Sequence, residues 1–182
     1  MNRLLTGTLA VIGAVLAASP ATAELPTGAA APVFVTQGAL AGKEFTFDLS
    51  RALRRGPVVL YFYPKSFSSG CTIEAHAFAA ASKQFRAAGA TLIGLSADTI
   101  ATQKDFSRKD CRDQFPVGVA TPAIITGYDV HLKQPDGKVT GLANRTSYVI
   151  GRDGKVKLAF TDMNPNDHVK QTLQAVRALR RR

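Results

Sequence analysis

The feature that most constrains the fold is a strand–helix–strand pattern in the first half of the chain. A continuous apolar run, Val58 to Tyr63, follows Gly56-Pro57 and ends at a second proline, as expected for a strand buried on both faces. Apolar residues then recur at helical spacing up to Gly89, which suits a helix C-terminus, and a second apolar run follows at Thr91–Ser96. Because a helix between two buried strands forms a parallel crossover, this pattern predicts an α/β fold.

The rest of the chain continues this alternation of strands and helices. The further predicted elements are strands at 45–49, 115–119, 146–150 and 155–160, and helices from 98 or 99 to about 111 and from about 167 to 180. Gly151-Arg152-Asp153-Gly154 separates the last two strands and is typical of a hairpin turn. A hairpin joins antiparallel strands, whereas the crossover joins parallel ones. We therefore predict a three-layer α/β domain with a central mixed β-sheet flanked by helices.

The amino-terminal segment, residues 1–23, has the features of a secretory signal peptide. A positive charge precedes the uncharged, mostly apolar stretch 4–18, and Ala21-Thr22-Ala23 forms a small-x-small cleavage pattern. The apolar stretch is shorter than the roughly 20 residues of a spanning helix, so an uncleaved membrane anchor is less favoured. We expect export to the bacterial periplasm, with no stable membrane association. Residues 24–40 are then expected to form a loose arm, and residues 41–182 the folded domain.

Charge and histidine spacing exclude two classes of function. The formal net charge is +10, but the Lys and Arg residues are spread singly, apart from Arg54-Arg55 and the arginines at the C-terminus. Without a basic cluster interleaved with aromatic residues, we predict no nucleic-acid partner. The three histidines, His76, His131 and His168, have no i, i+4 pair and no cysteine at ligand spacing, so we predict no metal site.

One of the two cysteines, Cys71, lies in the first turn of the helix that follows the buried strand. Backbone N–H groups without helical partners point toward such a position, and the helix dipole adds roughly half a positive charge. Both effects favour the thiolate over the thiol, and a thiolate is a nucleophile or a redox centre. A C-x-x-C dithiol would have its second cysteine at position 74, which is Glu74, so a single sulfur performs the first step.

The spacing Pro64-x-x-x-Ser68-x-x-Cys71 resembles the active-site signature of the peroxiredoxins, a family of thiol peroxidases. The residues on either side, Tyr61-Phe62-Tyr63-Pro64-Lys65 and Gly70-Cys71-Thr72-Ile73-Glu74, are similar to the bacterioferritin-comigratory, or Q-type, branch. The segment Arg145-Thr146-Ser147-Tyr148-Val149-Ile150 resembles the family's later, arginine-bearing strand. The resemblance implies a thioredoxin-like fold for the predicted three-layer domain.

The resemblance also implies roles for the residues of the signature. A peroxidatic Cys71 attacks one peroxide oxygen and pushes negative charge onto the other, so hydrogen-bond donors are needed where that charge appears. Arg145 would supply a charged fork of donors, Ser68 its hydroxyl, and Gly70 or the cysteine itself a backbone N–H. Pro64, which has no N–H, would shield the thiolate from water.

Two further residues take supporting roles by the same resemblance. Glu74 would orient the loop or the arginine, although an acidic residue in the first turn of a helix is also explained by the helix dipole. Attack on a peroxide leaves a sulfenic acid, which another thiol resolves. Cys111 lies close to where some Q-type members carry a resolving cysteine, so we predict an intramolecular Cys71–Cys111 disulfide, the alternative being a structural free thiol. Disulfide formation would require the first turn after Cys71 to unwind.

The function implied is that of an exported antioxidant enzyme, a thiol-dependent peroxidase that reduces hydrogen peroxide or organic hydroperoxides. We expect no metal or organic cofactor, a thioredoxin-like protein or a small thiol as reductant, and a monomer or weak dimer. Two alternatives stay open. A thiol–disulfide oxidoreductase would exchange disulfides with client proteins without peroxide, and a non-catalytic thioredoxin-fold redox sensor or binding protein would react with peroxide as slowly as a free thiol.

Overall fold

The computed structural model describes residues 24–180, so the predicted signal peptide, residues 1–23, lies outside the described residues. The strands are β1 (Val35–Leu40), β2 (Lys43–Asp48), β3 (Val58–Phe62), β4 (Thr91–Ser96), β5 (Val117–Val119), β6 (His131–Lys133), β7 (Val139–Ala143), β8 (Thr146–Ile150) and β9 (Val156–Thr161). The helices are α1 (Leu49–Arg55), α2 (Ser69–Ala87), α3 (Ile100–Lys109), α4 (Pro122–Gly127) and α5 (His168–Arg180). None of these helices is long and apolar enough to cross a membrane.

Seven of the strands form one mixed sheet in the order β2-β1-β5-β4-β3-β8-β9, and β6 and β7 form a separate hairpin. Strand β3 is parallel to β4, as the crossover pattern predicts, and antiparallel to β8 on its other side. Strands β8 and β9 form the hairpin predicted around residues 151–154. The register of β8 on β3 pairs Thr146 with Phe62, so the residue before β8 lies beside the loop that leaves β3.

The sheet separates two hydrophobic cores, and β3 contributes to both. Leu60 and Phe62 point into the core that contains residues of α1 and α4. Val59 and Tyr61 point into the core that contains residues of α2, α3 and α5. Both faces of the strand are buried because alternate side chains of a strand point to opposite sides. The predicted three-layer, thioredoxin-like fold with a central mixed sheet is confirmed.

The expectation of a loose arm over residues 24–40 is wrong. Strand β1 pairs with β2 along its whole length and also with β5, and the preceding segment is attached through Leu25 N–H, which donates to Tyr148 Oη at 3.0 Å. The folded domain therefore begins before residue 41. The buried residues of β1 are Thr36, Gly38 and Ala39, which are small or polar, so the strand carries no alternation of large apolar residues.

A further element that the sequence did not predict is α1. Its N-cap, Asp48, accepts a hydrogen bond from Arg51 N–H at 3.0 Å. The helix occupies positions 49–55, so the strand predicted to end at Leu49 ends one residue earlier. At seven residues α1 is too short to show a helical period in the sequence, and it is stabilised by tertiary packing of its apolar side chains.

Candidate active site

Cys71 is the third residue of α2, directly after the loop that leaves the central strand. Its side chain is buried against the core between the sheet and helices α2, α3 and α5. In this first turn the backbone N–H groups have no intrahelical acceptor, and the positive end of the helix dipole lies at the sulfur. The position therefore favours negative charge on a sulfur that is otherwise removed from water.

Arg145 lies at the sulfur of Cys71. Its Nη2 donates to Cys71 Sγ at 3.5 Å, its Nη1 forms an ion pair with Glu74 Oε2, and its Nε donates to the carbonyl oxygen of Met163 at 3.0 Å. The arginine is 3% exposed, so these three contacts hold its guanidinium in one orientation. A charged donor fixed in advance is the arrangement that stabilises charge developing on a reacting oxygen.

Gly70 leaves room for the guanidinium of Arg145 beside Cys71. A Cβ at this position would lie 3.0 Å from Arg145 Nη2, closer than ordinary van der Waals contact, so any side chain here would push against the guanidinium. The sequence assigned this glycine only a backbone N–H donor. The structure adds a steric reason for the residue that does not depend on that role.

Glu74 lies one helical turn after Cys71 and is fully buried. One carboxylate oxygen, Oε2, binds Arg145, and the other, Oε1, lies 3.6 Å from His168 Nδ1. Burial raises the pKa of Glu74 to about 8, although Arg145 opposes the shift. The carboxyl group holds the arginine in position, and its own pKa lies near neutral pH.

Ser68 and Pro64 lie at the two ends of the active-site loop. Ser68 is the N-cap residue of α2, but its side chain makes no capping bond; its exposed Oγ donates to the carbonyl oxygen of Lys65 at 2.9 Å. Pro64 is half-buried where the chain leaves β3. In this structure the hydroxyl of Ser68 is exposed and bonded within the loop, with no hydrogen bond to Cys71 or Arg145.

A buried polar network anchors this loop to the neighbouring strand and helix. Asp98 Oδ2 accepts from Ser66 N–H and from Ser96 Oγ, both at 2.7 Å. Gln103 Nε2 donates to Ser96 Oγ at 2.8 Å, and Gln103 Oε1 accepts from Tyr63 Oη at 2.8 Å. The sequence suggested Asp98 only as a possible helix cap. No local pattern marks these residues as one network, because they come from separate elements.

Comparison with known proteins identifies the family. Residues 27–159 match the AhpC/TSA family. The chain belongs to this family. Peroxiredoxin Q of Suaeda salsa, named as chloroplastic, is 32% identical over 124 residues, which is 68% of this chain and 56% of that protein. Its counterpart in Sedum lineare is 31% identical over 127 residues, covering 68% of this chain and 65% of that protein. The chain thus matches less than two thirds of the length of either relative.

Solved peroxiredoxin structures have the same fold. Peroxidoxin BcpB of Mycobacterium tuberculosis superposes with a TM-score of 0.73 at 29% identity, covering 84% of this chain and 97% of that one. Peroxiredoxin Q of Xanthomonas campestris gives a TM-score of 0.69 at 27% identity, covering 79% and 90% of the two chains. The resemblance to the Q-type peroxiredoxins is confirmed.

The second cysteine, Cys111, lies just after α3 and is fully buried in the same core as Cys71. Both cysteines are free thiols in this structure. Burial raises the pKa of Cys111 well above its usual value, and the nearby Asp110 and Asp113 add to the shift. Because the thiolate is the attacking form, this environment disfavours attack by Cys111.

A polar contact connects the helix that carries Cys71 to the residue before Cys111. His76 Nε2, on α2, lies 3.3 Å from Asp110 Oδ1 at the end of α3. The pair is partly exposed, so its contribution to the free energy of folding is small. The contact lies between α2, which carries Cys71, and the residue before Cys111.

His168, which the sequence assigned to no site, lies behind the arginine. It is the first residue of α5 and is fully buried, with Nε2 2.9 Å from the carbonyl oxygen of Asp162 and Nδ1 2.8 Å from Ser147 Oγ. The histidines form no i, i+4 pair, so spacing gave no signal for this position. In residues 24–180 no group of three or more His, Cys, Asp or Glu side chains is placed to hold a metal ion.

The raised pKa of Glu74 predicts a pH dependence of stability. In the unfolded chain a glutamate ionises near its ordinary pKa of 4.5, whereas in the fold Glu74 keeps its proton to about pH 8. Folding therefore takes up a proton in this interval, and the stabilisation present below pH 4.5 is lost as pH rises toward 8. The difference in unfolding free energy between the native chain and Glu74→Gln should fall by on the order of 1 kcal/mol per pH unit between these limits.

Urea unfolding of the two proteins across this pH range measures that difference. Glu44→Gln is the matched control, because Glu44 forms a surface pair with Lys104 at 3.2 Å and both side chains are exposed. The difference in unfolding free energy between the native chain and Glu44→Gln should not vary over the same pH interval. If the difference for Glu74→Gln were equally independent of pH, the raised pKa of Glu74 would be contradicted.

Proposed function

We propose that this chain is a thiol peroxidase in which Cys71 reduces hydroperoxides. The observation that carries the proposal is the donor contact from Arg145 Nη2 to Cys71 Sγ at 3.5 Å, made by a guanidinium that Glu74 and the Met163 carbonyl hold in place. A cysteine at the first turn of a helix and beside a fixed cation is a poised nucleophile. A purely structural thiol would need neither the buried cation nor the carboxylate that orients it.

The first chemical step follows from this arrangement. Sγ of Cys71 attacks one peroxide oxygen, an S–O bond forms, and the O–O bond breaks. The departing oxygen takes the electron pair of the broken bond and a proton, which yields water or an alcohol, and the cysteine becomes a sulfenic acid. Arg145 and the exposed hydroxyl of Ser68 stabilise the negative charge that grows on the departing oxygen.

Apolar side chains around the site support organic hydroperoxides as substrates beside hydrogen peroxide. Phe67 in the loop, Ile73 two residues after Cys71, and Met163, whose carbonyl binds Arg145, are 46%, 53% and 52% exposed. Exposed large apolar side chains near a reactive group suit the alkyl portion of a ligand. The bacterioferritin comigratory protein of Xanthomonas campestris, which has a similar fold, has alkyl peroxide reduction activity.

The second step we propose uses Cys111. Its thiolate attacks the sulfenic sulfur of Cys71, a disulfide forms, and the hydroxyl leaves as water after taking a proton. Since both sulfurs are buried and Cys111 is held in the thiol form, this step requires the start of α2 to unwind and Cys111 to reach solvent. A thioredoxin-like protein or a small thiol would then reduce the disulfide. The sequence of residues 1–23 supports export of the protein to the compartment in which it acts.

The rate of reaction with hydrogen peroxide tests the proposal. The chain contains no tryptophan, so rapid quenching with an alkylating agent, followed by mass spectrometry, measures the loss of reduced Cys71 with time. We expect a second-order rate at least about a thousandfold above that of a free thiol, since each fixed donor contributes roughly 10²–10³. A rate equal to that of glutathione would contradict the proposal. Rapid disulfide exchange without peroxide would favour a disulfide oxidoreductase instead.

A further inference from the structure

Behind the arginine lies a second pair of buried ionisable side chains, Glu74 and His168. Both side chains are fully buried, and Glu74 Oε1 lies 3.6 Å from His168 Nδ1. Among the described residues Oε1 has no hydrogen-bond partner, whereas Oε2 of the same carboxyl binds Arg145. A buried oxygen without a partner is unfavourable, so the imidazole nitrogen that faces it is the group with which it interacts.

The hydrogen bonds of His168 show which nitrogen carries its proton. Nε2 lies 2.9 Å from the carbonyl oxygen of Asp162, which can only accept, so Nε2 is a donor. In the neutral imidazole Nδ1 is then an acceptor and faces a carboxylate oxygen that is also an acceptor. The hydroxyl of Ser147, 2.8 Å from Nδ1, donates or accepts as needed and fits either form. The contact is favourable only when a proton resides on the carboxyl or on Nδ1.

The charges of the cluster formed by Cys71, Arg145, Glu74 and His168 require the same proton. With Cys71 as a thiolate, Arg145 carries the single positive charge against two buried anions, the thiolate and the Glu74 carboxylate. An unbalanced buried charge is strongly disfavoured, and one added proton makes the cluster neutral. We propose that Glu74 and His168 together hold one proton while Cys71 is a thiolate, and release it when the sulfur becomes neutral. This proposal rests on the proposed function, because it takes Cys71 to be the ionised nucleophile.

The remaining neighbours of the pair do not supply the missing charge. Asp162 and Asp167 act on the imidazole from the chain leading into α5, but both side chains are exposed. Phe160, on β9, packs edge-on against the imidazole at 4.9 Å and is uncharged. Tyr61, on β3, lies near the carboxyl, and burial raises the pKa of this phenol so far that it stays neutral. Arg145 is therefore the one buried cation near the pair among residues 24–180.

The directions of the two pKa shifts indicate which member of the pair holds the proton. Burial raises the pKa of Glu74 to about 8, with Arg145 opposing, and burial lowers the pKa of His168. Near neutral pH the proton therefore resides on the carboxyl, and the imidazole is neutral. In that form the positive charge of Arg145 is directed to the sulfur. When the sulfur loses its charge, the carboxylate reforms as the counter-ion of the arginine.

Alkylation of Cys71 by iodoacetamide tests the proposal without peroxide. The thiolate displaces iodide, an S–C bond forms and the C–I bond breaks, and this reaction neither takes up nor releases a proton. In a Cys111→Ser background near pH 7, after ultraviolet absorbance has verified the thiolate, we expect about one proton released per Cys71 alkylated. A pH indicator in weak buffer measures it. In Glu74→Gln, which cannot hold this proton, we expect thiolate absorbance and about zero protons released.

Each outcome decides the proposal. Release of one proton in the parent and none in Glu74→Gln supports it. Three results would overturn it: proton release that persists in Glu74→Gln while the thiolate is present, no proton release in the parent, or no thiolate absorbance in the parent. Expected proton release together with a peroxide rate no faster than that of a free thiol would overturn the proposed function but not the proton pair.

A second variant isolates the histidine. In His168→Gln the side-chain amide keeps a donor for the Asp162 carbonyl but lacks a basic nitrogen that can share the proton of Glu74. We therefore expect Glu74 to lose its proton at lower pH, and proton release to disappear at a pH about one unit lower than in the parent. Ser147→Ala is the matched control, because it removes a hydrogen bond to the same ring but no proton site. Its proton release should follow the parent. If His168→Gln also follows the parent, the histidine is only structural and the proposed pair is wrong.

Discussion

Replacing Cys71 with serine is expected to abolish the fast reaction with hydrogen peroxide. Replacing Cys111 with serine is expected to leave the rate of that reaction nearly unchanged. A serine hydroxyl beside Arg145 is not ionised near neutral pH, so no nucleophile remains in the first turn of α2. Cys111 is buried, and its pKa is raised well above the usual value, so it makes no attack on peroxide in the folded protein. The rate of Cys71→Ser should fall to that of the buffer blank, whereas Cys111→Ser should stay within about threefold of the parent.

The products distinguish the roles of the two cysteines. After peroxide treatment the parent is expected to contain an intramolecular Cys71–Cys111 disulfide, and Cys111→Ser a sulfenic acid at Cys71 that oxidises further to the sulfinic acid. Peptide mass spectrometry under non-reducing conditions measures both. Fast oxidation in Cys71→Ser would show that the first step belongs to the other sulfur. A parent that yields only sulfenic, sulfinic or intermolecular species would show that Cys111 does not resolve.

Replacing Arg145 with alanine is expected to lower the second-order rate with hydrogen peroxide by about 10²–10³, the usual effect of removing one fixed donor from a developing oxyanion. The variant loses the guanidinium 3.5 Å from Cys71 Sγ and leaves the Glu74 carboxyl without its ion-pair partner. Arg145→Lys should fall between the two, since an ammonium keeps the charge but lacks the fork that contacts both groups at once. The quenched-flow assay described for the parent measures all three rates.

Two controls separate catalysis from folding in this experiment. Arg152→Ala removes an exposed arginine whose Nη2 donates to the Arg54 carbonyl at 3.2 Å, and its rate should match the parent. The double variant Arg145→Ala with Glu74→Gln also removes the ionisable carboxyl group that the single variant leaves buried without its partner, and its rate should be as low as that of Arg145→Ala. An Arg145→Ala protein that is folded and reacts as fast as the parent would exclude the arginine from the transition state.

The central elements of this protein were predictable because their signals are local. The apolar run of β3, the helical spacing of α2 and the glycine that follows it, and the apolar run of β4 are each contained in a few consecutive residues. The signature Pro64-x-x-x-Ser68-x-x-Cys71 is likewise contiguous, and the structure has Cys71 in the first turn of a helix, as predicted. The family resemblance supplied Arg145, which no pattern of charge or hydrophobicity marks by itself.

Strand β1 and helix α1 were missed for a physical reason. The buried residues of the strand, Thr36, Gly38 and Ala39, are small or polar, so it is held by backbone pairing to two neighbours rather than by an apolar face. The helix is short, and its stability comes from packing against a core that other elements build. Elements held mainly by their neighbours leave a weak trace in their own residues.

The α/β architecture and the position of Cys71 at a helix N-terminus could thus be predicted from the amino-acid sequence. The surroundings of the sulfur could not, because they depend on how the elements pack. Arg145 reaches Cys71 across 74 residues of chain because β8 pairs with β3, and Glu74 meets His168 because α5 packs against α2 and β8. The burial of Cys111 has the same origin. Proton affinities and donor geometry depend on distances between side chains that are remote in sequence, and the packing of the whole domain sets those distances.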